Sequence, residues 1–169
     1  MHILKATNSD FDFIFSEIER NFISDERRDY NDALSLYESG KYEILHFISG
    51  VERVGFLTVW TFPDFAFAEH FVIYERYRNR GYGATALAAL KKLYSKIVLE
   101  AEPPITDIAK RRLNFYERNG FVQNKKPYMQ PAYRKGGHEV PLIIMSYPTH
   151  LENFDEVILR IKKEAYLSK

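Results

Sequence analysis

Apolar residues recur at two different spacings along the chain, and these spacings divide it into helices and strands. Phe11, Phe15 and Ile18 follow one another at intervals that predict an amphipathic helix. The same kind of spacing predicts further helices over about 25–39, 83–94, 106–119 and 149–167. Short apolar or alternating segments predict strands over about 2–6, 42–49, 53–61, 66–74, 96–102 and 140–147, with one more strand and an aromatic loop over 121–133.

The order of the predicted elements, β-α-α-β-β-β-α-β-α-β-β-α, is typical of a mixed α+β fold built on one central sheet. Two strands flank a tight turn at Gly50 and a third follows a turn at Pro63, so we expect a mostly antiparallel sheet flanked by helices. No repeat or linker interrupts the chain, which predicts a single domain over residues 1–169. Its core spans about 2–147. An extra C-terminal helix at about 149–167 either covers the sheet of its own chain or packs on a second subunit.

The composition excludes several classes of protein. The 169 residues include 24 Lys plus Arg and 23 Asp plus Glu, a net charge of +1, whereas a nucleic-acid-binding surface is expected to be far more basic. There is no cysteine, which excludes disulfides, thiolate zinc sites and a cysteine nucleophile, and we predict no metal site. No signal-peptide pattern is present, and no segment approaches the roughly 20 apolar residues that span a bilayer. We therefore expect a soluble cytoplasmic protein without membrane association, as a monomer or homodimer.

The segment from Glu69 to Tyr94 combines the features of an anion-binding pocket. An apolar strand enters an arginine-rich turn, which ends in Gly81 and Gly83 and leads directly into a helix. Glycine lets the backbone approach a ligand closely, and the first N–H groups of a helix have no partner within that helix. Together with the positive end of the helix dipole and the nearby arginines, these groups favour a bound pyrophosphate.

Two other phosphate-binding motifs fit this segment less well. Residues 81–86 match the dinucleotide fingerprint GxGxxA, and Glu100 lies 19 residues after Gly81. That fingerprint follows its strand directly within a βαβ unit, whereas residues 75–80 intervene here and the preceding strand belongs to a hairpin. No Lys-Ser/Thr pair follows the glycines, so the segment is not a P-loop either. A nucleotide-binding oxidoreductase is the weaker interpretation, and a melting-temperature shift with NAD would reveal it.

Two motifs resemble the GNAT superfamily of acyl-CoA-dependent N-acetyltransferases. Residues 78–83, RNRGYG, match its pyrophosphate motif Q/R-x-x-G-x-G/A, which lies between the fourth strand and the following helix. About 35 residues downstream, residues 114–121, NFYERNGF, resemble the FYxxxGF block of that family. The hairpin and the strand order also agree, so the resemblance covers about residues 2–147. One departure is Glu75, which stands where the family often has proline.

The resemblance implies how acetyl-CoA would be held. Backbone amides of one turn would bind the pyrophosphate, and that turn consists of Arg78, Asn79, Arg80, Gly81, Tyr82, Gly83 and Ala84. The pantetheine arm would lie along the fourth strand and bond the backbone of Phe71, Val72 and Ile73, where an amide would also polarise the thioester carbonyl. Many members carry an asparagine near coenzyme A where this chain has Ala109, and Asn114 is the candidate for that contact.

The resemblance also implies the catalytic residues. Tyr116 matches the general acid of the family, because a neutral phenol can protonate the departing thiolate. An alkylamine is largely protonated near neutral pH, so a base must accept its proton, and Glu69 on the fourth strand is the first candidate. Glu100 and Glu102, at the end of the fifth strand, are alternatives. Strand alternation predicts that His70 lies on the face opposite Glu69, where we expect a packed histidine and, as a further alternative, a base.

These observations predict an N-acetyltransferase that transfers an acetyl group from acetyl-CoA to a primary amine by direct attack in a ternary complex. The alternative is a catalytically silent GNAT-fold protein that binds acyl-CoA as a sensor or assembly module. The three carboxylates suggest a cationic small-molecule acceptor. Aromatic residues are expected to line its pocket: Trp60, Phe62, Phe65, Tyr128 and Tyr133.

Overall fold

The computed structural model describes residues 1–167 and contains one sheet with helices on both faces. The strands are β1 His2–Lys5, β2 Glu43–Ser49, β3 Glu52–Thr61, β4 Ala66–Ile73, β5 Ile97–Ala101, β6 Val122–Gln123, β7 Tyr128–Gln130 and β8 Val140–Tyr147. The α-helices are α1 Phe11–Asn21, α2 Tyr30–Glu38, α3 Tyr82–Leu93, α4 Asp107–Arg118 and α5 Phe154–Ile161, and a π-helical turn, Lys162–Tyr166, continues α5. Short 3₁₀ turns cover Asn8–Asp10, Ser24–Glu26 and Glu75–Tyr77.

The sheet order is β1-β2-β3-β4-β5-β8-β6, with β7 paired to β8. The pair β4–β5 is parallel, and every other pair among the described strands is antiparallel. Parallel neighbours need a crossover connection, which α3 provides between β4 and β5. The predicted α+β class with a mostly antiparallel central sheet is therefore confirmed.

Each face of the sheet carries its own apolar core, as strand alternation requires. On one face α1, α2 and α5 cover a core that includes Ile14, Phe56 and Ile161. On the other face α3 and α4 cover a core that includes Leu57 and Leu90. The C-terminal helix is thus buried against the sheet of its own chain, which favours the first of the two expectations for it.

The strands β4 and β5 pair over only three residues each, from Ala66 and Ile97 to Ala68 and Leu99, and then separate. A bulge in β4 accompanies the separation: Thr58 of β3 pairs with His70 and the next residue of β3 pairs with Ala68, which leaves Glu69 as the extra residue. Bulges bend a strand and increase its twist. The result is a cleft between the two strand ends, in the middle of the sheet.

The second helix is shorter than expected. The sequence predicts a helix over about 25–39, whereas α2 spans Tyr30–Glu38 and is preceded by the 3₁₀ turn Ser24–Glu26. Asp29 has an extended backbone and is the N-cap of α2. The intervening chain carries Arg28, whose side chain turns inward and is 6% exposed. The helix begins only after Arg28, because this residue directs its side chain into the candidate active site, where it contacts Glu69.

Candidate active site

A cleft of about 800 Å³ opens where β4 and β5 separate and extends to the turn before α3. Its walls come from α1, β4, the turn, β5 and α4. The lining residues from the strands and the turn are Ala68, Glu69, Phe71, Val72, Ile73, Tyr77, Arg78, Asn79, Gly81, Gly83, Ala84, Leu99 and Glu100. The cleft thus connects the predicted pyrophosphate turn with two of the three candidate carboxylates.

The turn before α3 has the backbone that an anion requires. Asn79 and Gly81 have positive φ angles of 60° and 79°, and the first helical bond of α3 runs from the Thr85 N–H to the Gly81 carbonyl. The N–H groups that precede Thr85 in the helix therefore have no acceptor within it. At the positive end of a helix dipole, such groups bind phosphate oxygens.

The close contact between Gly83 and Phe115 joins the two motifs that carry the family resemblance. A Cβ atom at Gly83 would lie 3.0 Å from Cζ of Phe115 and 3.3 Å from its Cε2. Such distances are shorter than ordinary van der Waals contacts, so only glycine lets α4 pack this closely on the turn. The same absence of a side chain leaves the backbone amides of the turn open to the cleft.

The predicted turn residues do not all line the cleft. Arg78 does, and its Nε donates to the Ile73 carbonyl at 2.9 Å, which ties the turn to the end of β4. Arg80 is exposed and does not line the cleft. The side chain of Tyr82 packs edge-on against Tyr77, with ring centroids 5.7 Å apart, and is also outside the cleft. For Arg80 and Tyr82, only a backbone contribution to anion binding stays in the prediction.

The open edge of β4 presents alternate peptide groups to the cleft. The Tyr74 N–H donates to the Val54 carbonyl of β3, and the Val72 carbonyl lies against Gly55 of the same strand. Because peptide groups alternate along a strand, those of Phe71 and Ile73 face the other edge, toward the cleft. The expectation that Val72 contributes its backbone is therefore wrong, since that peptide group is engaged with β3.

Asn114 does not occupy the position proposed for it. It is exposed and is not among the residues that line the cleft. The residues of α4 and its C-terminal end that do line the cleft are Arg111, Arg112, Phe115, Tyr116, Arg118 and Asn119. The helical turn carries Asn114 past the cleft, whereas the three arginines add positive charge to its wall. From the sequence, Arg111 and Arg112 are candidates for a coenzyme phosphate contact, although a charged helix face is the preferred interpretation for them.

Tyr116 lines the cleft from α4 and is 6% exposed. Burial raises the pKa of its phenol to about 12. The hydroxyl makes no hydrogen bond to any described residue that would compete for its proton. A neutral and unengaged phenol beside the cleft can donate a proton, and the general-acid role of Tyr116 stays a prediction.

Glu69 is the centre of a buried charge network rather than a free base. Its carboxylate accepts from Arg28 at 2.6 Å, from the Tyr133 hydroxyl at 2.8 Å and from the Trp60 indole N–H at 3.0 Å. Its side chain is 1% exposed. Burial alone would raise the pKa of Glu69, but the charge of Arg28 and these hydrogen bonds bring the pKa below its ordinary value. Every strong contact therefore favours a carboxylate that keeps its charge and does not take up a proton.

His70 lies on the same face of the sheet as Glu69, so the expectation from strand alternation is wrong. The bulge at Glu69 is the reason, because the extra residue interrupts the alternation. The Nδ1 atom of His70 lies 3.9 Å from Glu69 and 2.9 Å from the Thr58 hydroxyl, and Nε2 faces the Glu26 carbonyl at 3.2 Å. Burial lowers the pKa of this imidazole. Both ring nitrogens are engaged, so His70 is the packed histidine that the sequence predicts.

Glu100 faces the same point from β5 and has a different environment. Its two oxygens accept from the hydroxyls of Tyr128 and Tyr166, the latter at 2.6 Å. No cation is paired with it within residues 1–167. Burial, and secondarily the charge of Glu69, raise the pKa of Glu100 to about 7, although the two tyrosines oppose the shift. A carboxyl with this pKa can both take up and release a proton near neutral pH.

A second, much smaller cavity of about 40 Å³ adjoins the same two carboxylates. Its lining includes Glu26 and Glu102. Glu102 accepts from Arg112 at 2.6 Å, which makes it an ion-paired carboxylate at a strand end. Burial, and then repulsion from Glu102, raise the pKa of Glu26. The charge around this cavity is predominantly negative.

The sequence-based view of the aromatic residues is correct in part. Tyr133 lines the small cavity, as expected. Trp60 and Tyr128 line neither cavity, contrary to the expectation, and instead donate to the buried carboxylates. Phe62 and Phe65 stack on each other with centroids 4.4 Å apart and lie outside both cavities, so for these two the expectation is wrong.

The sequence alone does not identify two residues that contact the buried carboxylates, Arg28 and Tyr166. The guanidinium of Arg28 contacts Glu69 and also donates to the Ala165 carbonyl. It lies over the ring of Tyr133, with 4.7 Å between Cζ and the ring centroid. These contacts join residues 41 and 137 positions apart, and no local pattern marks Arg28 as an inward-facing cation.

Comparisons with known proteins agree with this geometry. The family profile described as "Acetyltransferase (GNAT) domain" matches residues 41–123, which include β2 to β5, α3 and α4. A solved structure assigned to the GNAT acetyltransferase family, from Bacteroides thetaiotaomicron, is 28% identical, covers 100% of both chains and superposes with a TM-score of 0.92. The chain belongs to the GNAT superfamily.

Two further comparisons match other acetyltransferases. The Bacillus subtilis (strain 168) protein YjbC, assigned as an acetyltransferase, is 28% identical over 134 residues, which cover 76% of this chain and 62% of YjbC. An aminoglycoside 6'-N-acetyltransferase solved with coenzyme A shares the fold, with a TM-score of 0.58, 15% identity and coverage of 86% and 96% of the two chains. Among the described helices, none has the length and apolar character of a membrane span.

Proposed function

We propose that this GNAT protein transfers an acetyl group from acetyl-CoA to a primary amine, by direct attack within a ternary complex. The observation that supports this most is the position of one cleft, which extends from Gly83 and Ala84 at the start of α3 to Tyr116 and Glu100. A donor site, a candidate acid and a candidate base therefore share one cavity. No cysteine is present to form an acyl-enzyme.

The turn before α3 fits the pyrophosphate of acetyl-CoA. The backbone at Gly81 is open, with no atom within 4 Å of where a Cβ would stand, and the packing at Gly83 requires the absence of a side chain. Peptide groups of Phe71 and Ile73 on the open edge of β4 would bond the pantetheine arm and polarise the thioester carbonyl. When bound, acetyl-CoA supplies the acetyl thioester that the amine attacks.

We assign the base role to Glu100 in preference to Glu69. An attacking ammonium must lose a proton before nitrogen can form a bond to the acetyl carbon, and Glu100, with a pKa near 7, accepts it. Glu69 stays ionised beside Arg28 and instead orders the site. As the carbon–sulfur bond breaks, Tyr116 donates its proton to the departing thiolate, and the second proton that the nitrogen loses as the amide forms restores the Tyr116 phenol.

The acceptor approaches through the small cavity that Glu26 and Glu102 line. Its volume, about 40 Å³, admits a slender group such as an unbranched amine. The Glu26 carboxylate has no hydrogen bond or ion pair to another described residue. A cationic amine would compensate this negative charge, so we propose a positively charged small-molecule acceptor.

A catalytically silent acyl-CoA sensor is the competing function. Such a protein needs the turn of residues 78–84 but has no use for a buried carboxyl with a pKa near 7 beside the same cleft. Titratable groups with strongly shifted pKa values in a cleft are typical of catalysis. Glu100 and Tyr116 therefore favour turnover.

Two measurements test the proposal. Calorimetry should detect acetyl-CoA binding, and a thiol-release assay with a panel of amines should detect turnover for a cationic primary amine. The Gly83→Ala variant is the control for binding. Binding without turnover over the whole panel would support the sensor, and the absence of acetyl-CoA binding would reject both functions.

A further inference from the structure

The turn that follows α5 reaches into the candidate active site. Here the helix widens into a π-helical turn, Lys162–Tyr166, in which the Leu167 N–H donates to the Lys162 carbonyl. Ala165 and Tyr166 are both buried, at 3% and 7% exposure. Segments of π-helix are rare and occur frequently at functional sites. This turn lies well outside residues 41–123, which the family profile matches.

The turn is connected to both carboxylates of the site. The Ala165 carbonyl, at a helix end where carbonyls lack helical partners, accepts a hydrogen bond from Arg28. Arg28 in turn holds Glu69. The Tyr166 hydroxyl donates to Oε2 of Glu100 at 2.6 Å, and the Tyr133 hydroxyl lies 3.5 Å from it. The π-helical turn therefore contacts Glu69 through Arg28 and contacts Glu100 directly.

We propose that Tyr166 is a positioning residue that holds Glu100 toward the cleft and tunes its readiness to accept a proton. The inference rests on the proposed function insofar as Glu100 is the base. A residue needed only for packing could be phenylalanine, because a buried hydroxyl is costly unless it finds a partner. Tyr166 instead donates a hydrogen bond to Glu100, a buried carboxyl that has no ion-pair partner among residues 1–167.

The effect of Tyr166 must be separated from the other groups around Glu100. The charged and titratable groups that face it or line the adjoining cavity are Glu26, Arg28, Glu69, His70, Glu102, Arg112, Tyr128 and Tyr133. Tyr128 donates to the other oxygen of Glu100 and remains in place when Tyr166 is changed. A hydrogen bond to the ionised form of a carboxyl lowers its pKa, so removal of the Tyr166 hydroxyl should raise it.

The test compares two changes at Tyr166 that act in opposite directions. Tyr166→Phe removes the donor, and replacement by 3-fluorotyrosine makes the phenol more acidic and a stronger donor with little change in size. The pKa of Glu100 is followed by ¹³C NMR of the side-chain carboxyls, with the resonance assigned by its loss in Glu100→Gln. We expect an upward shift with Tyr166→Phe and a downward shift with fluorotyrosine. Tyr37→Phe is the matched control, because this hydroxyl bonds the Ala6 carbonyl, remote from Glu100.

The kinetic readout follows the same direction. Tyr166→Phe should lower kcat/KM for the amine about tenfold at pH 7. The rise of kcat/KM that accompanies ionisation of Glu100 should move to higher pH, and the KM for acetyl-CoA should not change. Identical Glu100 titrations in all three proteins would overturn the inference, whether or not the protein turns over. If the pKa of Glu100 shifts as expected but no amine is turned over, the proposed function is rejected and the positioning role of Tyr166 is still supported.

Discussion

Glu69 and Glu100 face each other across the point where β4 and β5 separate, yet their carboxyls have opposite properties. Glu69 is paired with Arg28 at 2.6 Å, and its pKa is lowered. Glu100 accepts from two tyrosines and has no ion-pair partner within the described residues 1–167, and burial raises its pKa to about 7. Two nearby carboxyls whose environments move their pKa values apart are typical of a division of roles in acid–base chemistry. This difference supports the proposal that Glu69 orders the site and that Glu100 exchanges protons.

This division predicts different phenotypes for the two glutamine variants. Glu100→Gln should abolish most of the turnover, by about a hundredfold or more, and leave acetyl-CoA affinity intact, because general-base catalysis contributes factors of this size. Glu69→Gln should instead destabilise the fold by about 3–5 kcal/mol, because it leaves Arg28 buried without its counter-charge. Urea unfolding and thiol-release kinetics on both variants measure the two effects.

The exposed pair Arg160–Asp64 provides the stability control. Asp64→Asn removes an ion pair near the surface and should cost less than about 1 kcal/mol. If Glu69→Gln proved as stable as this control and lost the same activity as Glu100→Gln, Glu69 would be the base that the sequence first suggests, and our assignment would be wrong.

Tyr116 is the predicted acid, and its test separates chemistry from binding. Tyr116→Phe removes only the hydroxyl, which has no partner among the described residues, so the fold should be retained. We expect turnover to fall by about a hundredfold, with acetyl-CoA affinity changed by less than about twofold. Calorimetry and steady-state kinetics measure the two quantities. Wild-type turnover in this variant would remove Tyr116 from the mechanism.

Local patterns in the sequence account for much of the fold and for the candidate donor site. The predicted pyrophosphate turn can be recognised from the sequence because residues 78–83 and the following helix are contiguous. In addition, few residues can replace glycine where the backbone must be open. Strand and helix periodicity likewise depends on near neighbours. Hydrophobic spacing is thus enough to predict the sheet, its hairpin and the buried face of α5.

The chemistry of the carboxylates could not be read in the same way. From the sequence, Glu69 remains a good candidate for the base, because no neighbouring residue indicates that it is paired with Arg28, which lies 41 residues earlier. The bulge that turns Glu69 and His70 to one face depends on pairing with β3, and strand alternation in β4 alone cannot show it. Tyr166 is 66 residues from Glu100, so its contact exists only in the folded chain.

The contact between Gly83 and Phe115 predicts that even a small substitution at Gly83 weakens the binding of acetyl-CoA. Gly83→Ala places a Cβ 3.0 Å from the Phe115 ring, which must push α4 away from the turn or rotate the turn itself. We expect acetyl-CoA affinity to fall at least tenfold by calorimetry. Phe115→Leu in the same chain removes the obstructing ring and should restore part of the affinity. If the double variant binds no better than Gly83→Ala alone, the steric explanation is wrong.

Glu26 offers a test of the cationic acceptor. Its carboxylate lines the small cavity and has no hydrogen bond or ion pair to another residue within 1–167, whereas Glu102 is paired with Arg112. Glu26→Gln should raise the KM for a cationic amine severalfold with little change in kcat, because uniform binding is lost and the reacting groups are untouched. The KM for acetyl-CoA is the internal control. An unchanged KM for every cationic amine that is turned over would show that Glu26 does not contact the acceptor.

The raised pKa of Glu100 also predicts how stability depends on pH. Its folded pKa, about 7, lies above that of an unfolded glutamate, so the contribution of this group is fully present below the unfolded pKa and is lost as the pH rises through 7. The shift corresponds to roughly 3 kcal/mol between about pH 4 and pH 8. Glu100→Gln cannot ionise, so relative to wild type it should gain about this much stability over the same interval. Ile144→Val, which trims the partner of Glu100 in β8, should show the same loss at both pH values. Urea unfolding at the two pH values measures the difference, and a Glu100→Gln effect that does not vary with pH would mean that Glu100 does not titrate near 7.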